Sequence, residues 1–211
     1  ERREYRQLAF LAADGRTAAH TGDRCIPDCG HLVAENVSVQ GNMLASSDVW
    51  PAAAEGFAAA TGTLADRLLA ALEAAEAAGG DFRGRQASAL VVVSGDPGDP
   101  PWARLYELRV EDHPEPLAEL RRICSLQGTR RRRAAFGPET VTAEEVELAR
   151  AAGLGEEEVV LTAALAESRR GDLDGVARAL APLANADRRW REAFERYEEL
   201  GLIGRGVVPR L

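Results

Sequence analysis

The sequence predicts an α+β fold followed by a separate helical tail, on three observations. Short apolar segments with a period of two alternate with helical segments as far as residue 126, the pattern of mixed strands and helices. Asp14-Gly15 between two such segments is a strong two-residue hairpin signal. From Thr129 onward only helical periodicity remains. The boundaries that follow are a mixed domain over residues 1–128, an arginine-rich linker over 129–138 and a helical domain over 139–211.

Taken in order, Gln7 to Ala13 is an apolar run, and Arg16 to Thr21 returns as the second strand of an opening hairpin. Val37 to Gly41 is a further strand. Asp48 is placed to cap a helix in which Val49, Ala53 and Phe57 share one face, with Pro51 tolerated in its first turn. Thr63 and Asp66 have the spacing of a capping box. Leu64, Leu68 and Leu72 then form a buried stripe, and Gly79-Gly80 stop the helix. Ala87 to Val93 is continuously apolar, as expected of a strand covered on both faces. After a Pro/Gly/Asp loop from Gly95 to Pro101, Leu105 to Val110 alternates as a last strand and Leu117 to Leu126 is helical.

Arg130 to Arg133 read first as a solvated linker, with a patch for an anionic partner as the alternative. Thr142 with Glu145 opens a helix through Ala152 that ends at Gly153. Further helices run from Glu156 to Arg170 and from Asp172 to Leu183. The small and apolar positions Ala163, Leu165, Gly171, Leu173, Gly175, Ala177 and Leu180 are similar to a degenerate tetratricopeptide-type helix pair. One such repeat is too little to stand alone, so it is expected to pack on the first domain or on a protein partner. Trp190, Phe194 and Tyr197 on one helical face fit the seam of that packing.

Composition narrows the function. A formal charge of −8 argues against general nucleic-acid binding, which needs a concentrated basic face. The longest apolar runs fall far short of a membrane span, which takes about 20 residues. No segment signals export, so a cytoplasmic location is expected. All 26 basic residues are arginine, which excludes lysine-based Schiff-base chemistry.

The densest local signal is Ser38-Val39-Gln40-Gly41-Asn42-Met43-Leu44. A strand pattern breaks there at a glycine and presents an asparagine amide just ahead of a helix. Arg6-Gln7-Leu8-Ala9, Asp14-Gly15-Arg16, Ala19-His20-Thr21-Gly22, Cys25-Ile26-Pro27, Gly30-His31, Ala78-Gly79-Gly80-Asp81, Arg83-Gly84-Arg85-Gln86 and Asp112-His113-Pro114 accompany it in this order. Together they resemble the bacterial family called domain of unknown function 1028 over roughly the first 127 residues.

The resemblance implies an N-terminal-nucleophile (Ntn) hydrolase-like αββα sandwich, N-terminally incomplete here. Ntn hydrolases use the side chain of a first Thr, Ser or Cys as nucleophile and its α-amine as base, and Glu1 cannot supply that nucleophile. Family members carry a segment ahead of the part matching Gln7, and that segment would supply a first strand and any such nucleophile. The chain is therefore a fragment, one of two pieces, or not an enzyme. On the first readings the implied function is amide hydrolysis on a small amide or peptide-like compound. Asn42 and the Gly41 backbone would stabilise the oxyanion, His20 would carry protons, and Gln40, Arg85 and Gln86 would bind substrate, with arginine suited to a carboxylate; Arg85 reads equally as a structural ion pair and Gln86 as a strand-edge hydrogen bonder. The rival reading is a non-catalytic ligand-binding or scaffold protein with a helical docking module. A homodimer is expected of a layered sandwich with exposed strands.

No cofactor motif is present. Cys25, Cys29 and His31, with Asp23 or Asp28, lie close in sequence, but no second Cys pair accompanies them. Structural thiols are the first reading, a short-loop disulfide the second and a zinc site the last. Cys124 is expected to be buried in a helix. His20 and His31 lie nearest in sequence to the Asn42 block, and either would serve as proton carrier or satisfy a backbone carbonyl. His113, before Pro114, is a turn or helix-start residue. No serine stands in a nucleophile elbow.

Overall fold

The computed structural model describes residues 1–100, 102–135, 142–151 and 154–211. They form two compact units, Glu1–Arg121 and Arg122–Leu211.

In the first unit, strands β1 (Gln7–Leu11) and β2 (Thr17–Thr21) pair antiparallel, with Gln7 opposite Thr21 and Leu11 opposite Thr17. The turn between them uses Gly15 at φ +84°, a left-handed conformation that glycine adopts at little cost. Strands β3 (Gly30–Ala34) and β4 (Val37–Gly41) pair likewise, Gly30 opposite Gly41. β3 was not expected. Its signal is the two-residue connection Glu35-Asn36, where Asn36 takes φ 59°.

Helices α1 (Val49–Ala59) and α2 (Leu64–Ala77) follow, then strands β5 (Ser88–Val93) and β6 (Arg104–Val110), paired antiparallel, and helix α3 (Pro116–Ala135). The described residues thus carry three two-stranded sheets among helices, an α+β arrangement.

Val49, Ala53 and Phe57 are buried on α1 as their spacing predicts. Asp48 holds the N-cap position without a side-chain cap bond. At α2 the capping box is complete: Asp66 N donates to Thr63 Oγ1 (3.2 Å) and Thr63 N donates to Asp66 Oδ2 (2.9 Å). The leucine stripe of α2 is a correction. Leu64 and Leu72 are exposed and Leu68 is half-buried, whereas Ala65, Leu69 and Ala71 are buried. The reason is the closeness of α1. A Cβ added at Gly56 would lie 2.7 Å from Ala74 Cβ and 2.9 Å from the Ala70 carbonyl, so alanines take the closest contact, with Leu68 packed beside it against Ala53 and Phe57. β5 is a second correction, because only Leu90 and Val92 are buried while Val91 and Val93 on the other face are exposed.

In the second unit, α4 (Ala143–Ala151), α5 (Glu156–Arg169), α6 (Leu173–Ala186) and α7 (Arg188–Glu199) are helical. The expected linker is corrected in part, since α3 continues through residues 130–133. Its remainder at 136–138 and the helix stop at Gly153 lie outside the described residues, as does the side chain of Glu145. Gly171 turns the chain between α5 and α6 at φ +69°, and Asp172 caps α6 by accepting from Gly175 N at 2.8 Å. The core joins Val160, Val176, Leu180, Leu183, Phe194 and Val207. Trp190 and Tyr197 flank Phe194 with ring centroids 5.7 and 6.1 Å away, and all three join this unit's own core, which corrects the expectation of a seam toward the first domain or a partner. Near the end of α7, the Glu198 carboxylate accepts from Gly206 N (2.6 Å) and Val208 N (2.9 Å). These bonds fold the last residues back and hold its carboxyl below the usual range.

Two measurements check this account. Gly56→Val forces α1 away from α2 and should lower stability by about 1–3 kcal/mol in urea unfolding. Hydrogen bonds from the Arg189 guanidinium, then from its backbone N–H, lower the Asp187 carboxyl from 3.8 to about 2. A depressed folded-state value stabilises above the ordinary pKa and is lost as pH falls. The helical signal of the protein should therefore weaken between about pH 4 and pH 2, and Asp187→Asn should remove that part of the acid dependence.

Candidate functional site

The first pair of one ladder and the last pair of the other meet at a single side chain. Gln7 opens β1 opposite Thr21, and Gly30 stands opposite Gly41 where β3 begins and β4 ends. The Gln7 amide nitrogen Nε2 donates to Thr21 Oγ1 (3.0 Å), the Gly30 carbonyl (3.1 Å) and the Gly41 carbonyl (2.8 Å). Its two hydrogens serve three oxygens, so one is shared. On the other side, Asn42 Nδ2 donates to Gln7 Oε1 at 3.0 Å. Thr21, which accepts from Gln7, also lies within hydrogen-bond distance of His31 Nδ1, at 2.8 Å. Asn42, Gln7, Thr21 and His31 thus form one connected run of hydrogen bonds, an arrangement in which neighbouring bonds polarise one another.

Both glycines are there for close approach. A Cβ on Gly30 would stand 2.4 Å from the Trp50 ring, and one on Gly41 would stand 2.7 Å from Leu44 Cδ1. Asn42 is exposed on the turn that follows, and Met43 takes φ 58° there. The loop holding Cys25 and Cys29 runs along this turn, because Met43 N donates to the Ile26 carbonyl and Leu44 N to the Asp28 carbonyl (3.1 Å). Both thiols are free and half-buried. Burial first, then Cys25 and Asp28, push the Cys29 thiol up. Cys124 is buried. Among the described residues no group of three or more His, Cys, Asp or Glu converges on a metal position.

An open groove of about 990 Å³ lies beside this turn. Val39, Gln40 and Gly41 form part of its wall, Trp50, Leu72 and Ala75 give an apolar surface, and Arg83, Arg85, Gln86 and Asp112 supply polar groups. The structure therefore brings Gln40, Gly41, Arg85 and Gln86 into one cavity, whereas Asn42, next after Gly41, turns its amide to Gln7 and does not line it. His20 is not brought there. It faces away from Thr21 on the β1–β2 ladder, and its Nε2 meets the Arg3 carbonyl at 3.0 Å, so His31 is the histidine joined to Asn42.

Arg85 does not present an unpaired guanidinium. Its Nε meets Glu76 Oε1 at 2.9 Å, and its NH1 meets both Glu115 oxygens at 2.7 Å. Arg83 is likewise forked onto Asp81, whose carboxyl it holds below the usual range. The Gln86 carbonyl accepts from His113 N, and His113 Nδ1 accepts from Glu115 N just before α3, which is the helix-start role expected of it. Ser88 Oγ donates to the Pro116 carbonyl and Ser38 Oγ to Gln40 Oε1. Gln7 and Thr21 were not picked out as site residues from the sequence. Their only local signal is a polar residue at the outer end of each strand of the hairpin.

A family model described as a family of unknown function, DUF1028, matches residues 1–120. A crystal structure of a Silicibacter pomeroyi protein assigned to the same family superposes with a TM-score of 0.50 at 35% identity, covering 58% of this chain and 50% of that one. The chain thus spans about half the length of that protein. No curated protein matches it.

Replacing the Gln7 amide tests the site. Gln7→Leu leaves the Gly30 and Gly41 carbonyls without their donor and should cost about 1–3 kcal/mol in unfolding. It should also speed amide exchange at Gly41 and Asn42 while leaving the β5–β6 pair unaffected.

Proposed function

The chain belongs to the DUF1028 family, and we propose that it is an Ntn-hydrolase-like amidase acting on an uncharged amide or peptide-like compound. The observation that carries this reading is the fixed amide of Asn42. One hydrogen of its Nδ2 is held by Gln7 Oε1, and among the described residues the other is left to a ligand. A donor oriented in advance is what an oxyanion requires, and loss of one such donor typically costs about 10²–10³ in rate. The nucleophile would be a Thr, Ser or Cys at the mature N-terminus of a segment preceding Gln7, with its α-amine as base.

The αββα sandwich fits the exposed apolar residues on the outer sheet faces, Leu8 and Phe10 of β1 and Val91 and Val93 of β5, which a further layer would cover. The helical unit, with its Gly171-Asp172 turn between α5 and α6, is proposed as a tetratricopeptide-like docking module for a protein partner. A cytoplasmic homodimer is part of the same reading.

Arg85 alters the expected substrate. With its guanidinium on Glu76 and Glu115, it supports a ligand without a carboxylate at that position. The same pairing favours the second reading, a non-catalytic binding protein in which Arg85 only ties α2 to the start of α3.

The N-terminus and intact mass of the protein expressed from its complete reading frame separate the two. A mature chain starting at Thr, Ser or Cys is expected, and hydrolysis of uncharged aryl amides should then fall about 10²-fold in Asn42→Ala. An unprocessed chain with another first residue would overturn the hydrolase.

A further inference from the structure

Cys25 and Cys29 lie on the loop between β2 and β3, outside any helix or strand. Both thiols are free and half-buried, while Ile26, Pro27 and Asp28 between them are exposed. The chain turns where Cys25 N donates to the Gly22 carbonyl (3.1 Å), and it bends again at Pro27 and Asp28. The two thiols therefore sit on one short arc, and the charge of Cys25 is felt at Cys29, where it adds to burial in pushing the thiol up. Among the described residues no third His, Cys, Asp or Glu converges with them, so the pair has the composition of a dithiol and not of a zinc site.

This loop is tied to the Asn42 turn at three points. The Ile26 carbonyl accepts from Met43 N (3.4 Å), and the Asp28 carbonyl accepts from Leu44 N (3.1 Å). Gly30, next after Cys29, gives its carbonyl to Gln7 Nε2 (3.1 Å), and Gln7 Oε1 in turn receives Asn42 Nδ2 (3.0 Å). A bond between two cysteine sulfurs requires their α-carbons to stand about 4.4–6.8 Å apart. Closing the ring over residues 25–29 would therefore fix the path of Ile26 and Asp28, whose carbonyls hold the two residues just after Asn42. A ring this short removes less chain entropy than a long one, so the bond is no strong staple of the fold, and at the surface it stays open to reduction.

We propose that Cys25 and Cys29 form a reversible redox pair that sets the conformation of the Asn42 turn, oxidised by a low-molecular-weight disulfide. The Cys25 thiolate attacks one sulfur of that disulfide and releases one half as a thiolate. Cys29 then gives its proton to solvent and attacks the Cys25 sulfur of the mixed disulfide, expelling the second half. Two protein thiols are oxidised to one disulfide, and one external disulfide is reduced to two thiols. A thiol pushed up by burial suits this slower, resolving step. The proposal rests on the reading above only in taking Asn42 as the amide of the site.

The test treats the protein from its complete reading frame with oxidised glutathione, alkylates the remaining thiols and maps all three cysteines by peptide mass. The expected product is a disulfide joining Cys25 to Cys29, with Cys124 left as a thiol, and dithiothreitol should reverse it. Cys29→Ser should instead stop at a glutathione adduct on Cys25. Hydrogen exchange at the Met43 and Leu44 amides should be about tenfold faster in the oxidised form, with the β5–β6 pair unchanged. A lasting glutathione adduct on the unaltered protein, pairing of either thiol with another cysteine, or thiols that stay reduced overturns the pair. A disulfide that leaves exchange at Met43 and Leu44 unchanged overturns its hold on the turn. Amide hydrolysis that survives in Asn42→Ala would defeat the amidase reading and leave these results standing.

Discussion

One amide group, that of Gln7, fixes how the two N-terminal hairpins meet. It touches both ladders at their terminal pairs, reaching Thr21 across its own sheet and the Gly30 and Gly41 carbonyls of the other. Each hydrogen bond contributes only about 0.5–1.5 kcal/mol net, but a buried carbonyl left without a donor costs more. The constraint is also one of register. A slip of one residue along β1 would turn Gln7 to the opposite face and put the apolar side chain of Leu8 where three oxygens need a donor. The glycines at 30 and 41 belong to the same constraint, because only residues without Cβ let Trp50 and Leu44 lie against the ladder at the point where Gln7 grips it.

What could be read from the sequence was local. The Thr63-Asp66 box and the α1 face depend on residues three to eight positions apart, and both hold; the Asp14-Gly15 turn forms too, but the paired strands end at Leu11 and Thr17, so the connection is longer than the two residues expected. What could not be read depends on distant partners. Gln7 finds Gly41 and Asn42 34 and 35 positions away, and a lone glutamine at a strand start has no local signature of that role. Arg85 read equally as a substrate group or a structural ion pair, and its partner Glu115, 30 positions further on, decides for the pair. On α2 the alternation of leucines suggested the buried face, but Gly56 of the neighbouring helix decided it, and the closest contact went to alanines. The candidate site was thus half legible: Gly41, Gln40, Arg85 and Gln86 line one cavity, while Asn42 turns its amide to Gln7, and the side chain that organises this turn and the histidine joined to it had to be seen in three dimensions.

The absence of lysine has a structural counterpart. Three times an aspartate pairs with the arginine two residues on: Asp14 with Arg16, Asp81 with Arg83 and Asp187 with Arg189. In each the backbone N–H of the arginine also donates to the aspartate, and each carboxyl is held below its usual range. A guanidinium can fork onto both oxygens of one carboxylate while its own backbone closes the turn, which a point-charged ammonium does less well. These exposed pairs contribute little to stability individually. Their effect is to set turns, at the β1–β2 hairpin, at the approach to β5 and at the start of α7, and to remove charge from the surfaces beside them.

That removal of charge bears on the groove. Asp81-Arg83 shapes the segment that leads toward β5, and the same pairing neutralises what would otherwise be a cation at the groove's rim. Arg85, shared between Glu76 and Glu115, does so again. With both arginines committed to carboxylates, the groove has little net attraction for ions, and Trp50, Leu72 and Ala75 leave apolar contact as its main resource. Gly41 lies in that wall and also carries the carbonyl that Gln7 holds, so the groove and the amide of Asn42 share one fixed point.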